Sequence, residues 1–206
     1  SLTEFTSFFG SASYHPRYWH WLLITPATFL KNYATMEIPV RKASKAITLV
    51  SPTLEPRMKL FAKDKVKVIP NGVYVPKEYS PKSVSDTIQI ISIGRVVKQK
   101  GIQHAINAIA NLPSEIQDKV HLNIVGEGDY LDALENLTTQ KNLRNMVTFH
   151  GKLIGIPLQD IYQQSQIHLM PTTSHEGLPL TILEGMAFGL ATIASEIGGI
   201  SSAITD

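Results

Sequence analysis

The chain contains no cysteine among its 206 residues. Disulfide staples and thiolate chemistry are thereby excluded, and a reducing compartment such as the cytoplasm is a natural setting. Charge is also sparse: 17% of residues are Asp, Glu, Lys or Arg, and the net charge is +2. A surplus that small, with no long basic tract, argues against a nucleic-acid partner. Long hydrophobic runs are missing too. The most apolar stretch, Tyr18 to Leu30, is interrupted by His20 and Pro26 and is too short to span a bilayer. A core or docking helix is the ordinary reading of that stretch. Trp19 and Trp21 make a membrane-surface contact the sharper alternative. The common short motifs of hydrolases, zinc proteases and phosphate-loop enzymes do not occur. What remains is 43% hydrophobic content in a chain large enough for a sizeable core.

From Ile88 onward that content is ordered. Short apolar runs at Ile88 to Ile93, Val120 to Val125, Val147 to Phe149, Ile167 to Met170 and Ala191 to Ala194 read as strands. Helical patterns separate them: Gly101 to Leu112, Tyr130 to Gln140, around Leu158 to Gln164, and one from Pro179 towards Gly189, with another starting at Ile200. This alternation predicts an α/β, Rossmann-like parallel sheet with helices on both faces. Earlier in the chain, Ile38 to Lys45 suits a helix, and Ala46 to Val50 and Val66 to Ile69 suit strands. Between those strands Ser51 is placed to cap a helix through Phe61, with Pro52 in its first position. Pro70-Asn71-Gly72 is a turn, and Tyr74 to Ser85 reads as a linker.

Ligands in parallel α/β sheets bind at the carboxyl ends of the strands, so the loops there are the place to look. Gly94 to Gly101, GRVVKQKG, offers Arg95 as a forked donor and Lys100 as a mobile point charge for a phosphate group. In the loop Gly126-Glu127-Gly128-Asp129, Leu131 stands where a dinucleotide fingerprint needs glycine, which disfavours nicotinamide binding. The central stretch is EGLPLTILEGMAFG, Glu176 to Gly189. Its two glutamates are eight positions apart (184 − 176) with a helix start between them. With Pro179 first in the helix, the cap position falls on Leu178, which has no side-chain acceptor. The amides of Leu180, Thr181 and Ile182 are then free to meet an anion at the positive end of the helix dipole. At helical spacing Leu183, Met186, Ala187 and Leu190 share one face, with Glu184 beside it next to Leu180 and Phe188. A carboxylate there suits a pair of hydroxyls such as those of a ribose, and Glu176 suits hydroxyls beyond the phosphates. Taken singly, each glutamate, each cation and the loop histidines His150 and His175 read as ordinary surface residues. The uncapped helix start, the preceding strand and the paired spacing together reverse that preference.

With these residues in place the chain resembles glycosyltransferase family 4, which has the two-domain GT-B fold. The matching residues are Arg95 and Lys100, VGEG at Val125 to Gly128, FHG at Phe149 to Gly151, and the pair Glu176 and Glu184. Asn71-Gly72-Val73 matches the family's interdomain hinge, and Ser44 to Ser51 its last N-terminal strand. The likeness covers residues 38 to 204. It implies three regions: 1–69 from the acceptor-side N-terminal domain, a hinge and linker at 70–86, and a nucleotide-sugar-binding domain at 87–206. It further implies a retaining transferase that takes a nucleoside-diphosphate sugar, needs neither metal nor other cofactor, and serves a glycan or lipid-linked acceptor. Arg95 and Lys100 would bind the diphosphate and stabilise the leaving group. Glu184 would take the ribose and Glu176 the sugar hydroxyls. The backbone of Gly177, Leu178, Leu180 and Thr181 would lie near sugar and phosphate, and Gly126 and the Leu153 backbone near the nucleotide. Ala191 stands where the family often has proline, and Ser202 near a usual glutamate. Against the family pattern, most of the acceptor domain and the closing C-terminal elements are not among these residues. The expectation is a chain that holds the donor and transfers little by itself. A nucleotide-sugar binding module and a sugar-nucleotide epimerase remain as alternatives. The expected location is cytoplasmic, with peripheral contact at the inner membrane face as the variant the tryptophans allow.

Overall fold

A computed structural model of the chain describes residues 38–76 and 86–204. The tryptophan-bearing stretch before residue 30 and most of the expected linker lie outside those residues. The chain divides into two compact units between Pro70 and Asn71.

The first unit holds helix α1 (Ile38–Ala43), strand β1 (Ile47–Leu49), helix α2 (Glu55–Ala62) and strand β2 (Val66–Val68). The two strands pair in parallel, Ile47 with Val66 and Leu49 with Val68. Leu49, Ala62 and Val66 form a small buried cluster, against which Ile47 and Met58 pack. Ser51 caps as expected, its hydroxyl accepting from the Thr53 N–H at 3.3 Å. The helix it starts, however, is split. Pro52–Leu54 is a single 3-10 turn, and the α-helix begins at Glu55. The cause is Pro56, which has no N–H to reach back to the Pro52 carbonyl. That carbonyl accepts from Glu55 instead, in the tighter pattern.

The second unit carries strands β3 (Ile88–Ile93), β4 (Val120–Val125), β5 (Val147–Phe149), β6 (Ile167–Met170) and β7 (Ala191–Ala194). They pair in parallel in the order β5-β4-β3-β6-β7. Helix α3 (Ile102–Ala110) follows β3, and a short helix α4 (Ser114–Gln117), not anticipated from the sequence, precedes β4. Helices α5 (Leu131–Gln140), α6 (Ile156–Gln164) and α7 (Leu180–Ala187) follow β4, β5 and β6. In α3 the buried residues are Ile102, Ala105, Ile106 and Ile109, a stripe at i, i+3, i+4 and i+7. The stripe packs with Ile90, Leu122, Ile124 and Leu134 on one face of the sheet. On the other face Ile91 and Val125 pack with Tyr162 and Leu190. Alternate residues of β3 therefore feed opposite cores, as a strand covered on both faces requires. From β3 the chain winds one way through β4 and β5, then returns to the other side for β6 and β7. The strand order thus switches between β3 and β6, the point in such sheets where ligands bind beyond the carboxyl ends of the strands.

Candidate donor-binding site

Two of the sequence-singled residues meet at that switch point. Lys98–Lys100 forms a 3-10 turn after β3, closed by the Gly101 N–H on the Lys98 carbonyl. The Gln99 carbonyl in this turn accepts from the Thr173 N–H at 2.8 Å and from the Thr172 hydroxyl at 3.1 Å. The turn after β3 is so sewn to the loop after β6, and Lys100 is delivered to Glu176. Their ion pair spans 2.7 Å, with side-chain exposures of 20% and 17%. Thr172, 1% exposed, has the same carboxylate oxygen 3.3 Å from its hydroxyl, as the alternative acceptor to the Gln99 carbonyl for its one proton. On its other side Glu176 is held by the pair Gly198-Gly199. The Gly199 N–H donates to the Glu176 carbonyl at 2.8 Å. A Cβ on Gly198, whose φ is +64°, would stand 2.2 Å from that carbonyl oxygen. Neither Thr172 nor the glycine pair was singled out for this from the sequence. The signal available was a Gly-Gly in the loop that follows a strand, where one backbone can approach another.

Arg95 is exposed at the end of β3 and makes no ion pair among the described residues. Its guanidinium can fork onto an anion without first leaving a protein partner. Gly126 sits where only glycine fits, because a Cβ would lie 1.8 Å from the Gly94 carbonyl oxygen. Leu153 packs half-buried against the cluster of Ile91, Val125 and Tyr162. His150 bonds Asn123 at 2.8 Å, which marks it as a structural residue, and His175 is exposed.

Helix α7 starts one residue later than the sequence pattern implies. Pro179 is its cap residue, with ψ 125°, rather than its first helical residue. Its missing N–H is still no loss, and no side chain caps the helix. The Ile182 N–H bonds the Pro179 carbonyl at 3.2 Å, so the unclaimed amides are those of Leu180 and Thr181, with Thr181 half-buried and Gly177 exposed. Leu178 is buried, and its carbonyl accepts from the Asn71 side-chain amide at 2.8 Å. The buried face also differs from the periodicity reading. Ile182 and Gly185 are buried, while Met186 is 46% exposed. An almost wholly apolar helix does not declare its inner face. Here Gly185 decides it, because its missing side chain lets α7 close on His168 of β6, to which a Cβ would approach within 3.1 Å.

That orientation turns Leu180, Glu184 and Phe188 outward as one i, i+4 row into a cavity of about 620 Å³. The facing row is Leu158 and Tyr162 of α6, with Gln159 beside them. Tyr162 donates from its hydroxyl to Glu184 Oε2 at 2.9 Å. Burial, and then the neighbouring carboxylate, raise the phenol's pKa, so it remains a donor. Of the expected site residues, Leu180 and Glu184 line this cavity, while Lys100 and Glu176 hold each other.

The five-stranded parallel sheet with helices on both faces is the fold found in GT-B glycosyltransferases. The Anabaena protein HepE, solved with UDP and glucose, superposes with TM-score 0.69 at 21% identity, over 81% of this chain and 48% of HepE. The pneumococcal O-GlcNAc transferase GtfA, solved with UDP and GlcNAc, superposes with TM-score 0.70 at 19% identity, over 85% of this chain and 35% of GtfA. At such identities the likeness establishes the fold alone. Sequence comparison establishes the family: the group 1 glycosyl transferases match residues 77–206, and the chain belongs to that family. An uncharacterised glycosyltransferase of Methanocaldococcus jannaschii is 32% identical over 155 residues, 68% of this chain and 39% of that protein. The alpha-monoglucosyldiacylglycerol synthase of Streptococcus pneumoniae is 26% identical over 154 residues, 68% of this chain and 34% of the synthase. The chain thus spans less than half the length of these curated relatives. Among the described residues no helix is long and apolar enough to cross a membrane.

Proposed function

We propose that this chain is the donor-binding part of a retaining, metal-independent glycosyltransferase. It takes a nucleoside-diphosphate sugar and serves a glycan or lipid-linked acceptor in the cytoplasm or at the inner membrane face. The observation that carries the reading is the arrangement at the β3/β6 switch point. There the loop after β3 carries an arginine with no ion pair among the described residues and a lysine on a carboxylate, and the loop after β6 leads into an uncapped helix whose Leu180 and Glu184 line a cavity. In this reading residues 1–69 belong to an acceptor-side domain, 70–86 to a hinge and linker, and 87–206 to the donor domain.

Each group then has a chemical task. Arg95, Lys100 and the Leu180 and Thr181 amides offset the negative charge of the diphosphate, which grows as the sugar–phosphate bond breaks and its electron pair leaves with the nucleotide. Two cations and a helix start do here what a metal ion does in other transferases. The Gly177 and Leu178 backbone lies along the phosphate path. Glu184 accepts from the ribose hydroxyls, and Gly126 and the Leu153 backbone flank the nucleoside. Glu176 holds the donor sugar's hydroxyls, with Lys100 passing from Glu176 towards the phosphates. An acceptor hydroxyl bonds the anomeric carbon on the face the diphosphate leaves, and its proton departs with the diphosphate.

Calorimetric titration of the chain with UDP, GDP, ADP and NAD tests this reading. One nucleoside diphosphate is expected to bind and NAD is not. Glu184→Ala should weaken the bound nucleotide about tenfold or more, the loss of one charged hydrogen-bonding partner. Absence of binding by all three diphosphates would sink the reading. A module that binds without transferring is the second reading. The Lys100–Glu176 ion pair favours it if the pair persists with nucleotide bound, since both side chains are then occupied with each other. Little sugar transfer is expected from this chain alone.

A further inference from the structure

Glu184 is held from the neighbouring helix. Tyr162 is 1% exposed and anchored in the cluster of Ile91, Val125 and Leu190. Its ring lies flat on Phe188, with centroids 5.2 Å apart and planes 7° apart. Phe188 follows Glu184 by one helical turn. The end of α7 therefore supplies both the carboxylate and the plate that clamps its hydrogen-bond donor. The phenol cannot swing away, and its hydroxyl reaches Glu184 Oε2 at 2.9 Å. Oε1 makes no hydrogen bond among the described residues, although Glu184 lines the cavity.

A glutamate on a helix surface samples several rotamers, and fixing them on binding costs entropy. A carboxylate that bridges a vicinal diol must present both oxygens in one plane. Oε2 keeps a lone pair after accepting from the phenol, so both oxygens remain able to accept. We propose that Tyr162 is a positioning residue: it fixes Glu184 in the orientation that meets the donor's ribose diol, and so sets the preference for ribonucleotides over deoxyribonucleotides. The inference rests on the donor reading of this cavity.

The test separates this role from ordinary core packing. Whichever of UDP, GDP and ADP binds the chain most tightly is titrated beside its 2′,3′-dideoxy counterpart, into the unaltered chain and into Tyr162→Phe. Tyr162→Phe keeps the ring stack and removes only the hydroxyl. It should lose roughly three- to tenfold in affinity for the ribonucleotide and none for the dideoxynucleotide. Equal loss for both ligands, or loss for neither, overturns the proposal. Should Tyr162→Phe fail to fold, Phe188→Leu replaces it. That change removes the plate and should shrink the ribo-to-dideoxy affinity ratio, whereas an unchanged ratio overturns the proposal. Failure of the unaltered chain to bind any diphosphate defeats the donor reading and this inference together. Binding without distinction between the two sugars defeats the ribose role of Glu184. A distinction that survives Tyr162→Phe defeats the role of Tyr162 alone.

Discussion

Glu176 and Glu184 stand eight positions apart in one motif (184 − 176), yet the fold treats them differently. Glu176 sits in a loop held by other loops. The turn after β3, Thr172 and the glycine pair at 198–199 all converge on it, and a cation neutralises it at 2.7 Å. Glu184 sits on a helix, in a wall made of two facing helical rows, and its recorded partner is a neutral phenol. A carboxylate facing a mobile lysine can exchange partners when an anion arrives. One gripped by a buried, stacked tyrosine keeps its orientation whatever arrives. The first setting suits charge that moves during a reaction, and the second suits recognition of a fixed shape.

The sharpest way to perturb the helical side is acid. His168 lies fully buried under α7, against Gly185, and neither ring nitrogen has a partner among the described residues. Burial pulls its pKa from 6.5 down to about 4. The unfolded chain therefore binds this proton at a higher pH than the native one does. Stability is fully present above pH 6.5 and falls as pH drops through the window to about 4. The loss from this group amounts to about 3 kcal/mol. His121 and His150, also lowered chiefly by burial, act in the same direction. Urea unfolding from about pH 7 down to about pH 4 measures the slope. His168→Leu should flatten it, and an unchanged slope would place the titration elsewhere.

Gly198→Ala attacks the other side. A Cβ 2.2 Å from the Glu176 carbonyl, at positive φ, must displace one loop or the other. The expected cost is about 2 kcal/mol in denaturant unfolding, with Lys100 losing its register on Glu176. A smaller expected effect separates the two carboxylates by ligand. Lys100→Met should weaken a nucleoside diphosphate about tenfold and leave a nucleoside nearly untouched. Glu184→Ala should weaken both. Calorimetry with the paired ligands reads the difference, and equal profiles for the two variants would erase the distinction. The smallest change is Asn71→Ala. It removes the amide that holds the Leu178 carbonyl ahead of α7. A stability loss of about 1 kcal/mol, measured by thermal unfolding, is expected.

Much of this was legible in the residue order. Strand positions at Ile88–Ile93, Val120–Val125, Val147–Phe149, Ile167–Met170 and Ala191–Ala194 coincide with the expected ones, because buried parallel strands read as short apolar runs between turn residues. The existence of helix α3 and the family motifs were equally visible, since each rests on spacing within one segment. Tyr162 was not, because a tyrosine in an amphipathic helix looks like any core aromatic. Its meaning comes from the helix opposite. The contacts of Thr172 with Gln99, of Asn71 with Leu178 and of the glycine pair with Glu176 were hidden for the same reason: the partners lie far apart along the chain.

The sequence by itself determined the class of fold, the strand-end loops and the types of group that could meet an anion and hydroxyls, because periodicity and local turn chemistry are properties of consecutive residues. Only the tertiary structure decided which face of α7 is buried, that Lys100 rests on Glu176, and that Glu184 is gripped by Tyr162. Those outcomes depend on close approach between segments distant in sequence, at Gly185 on His168 and Gly198 on Glu176, where the absence of a single Cβ sets the distance.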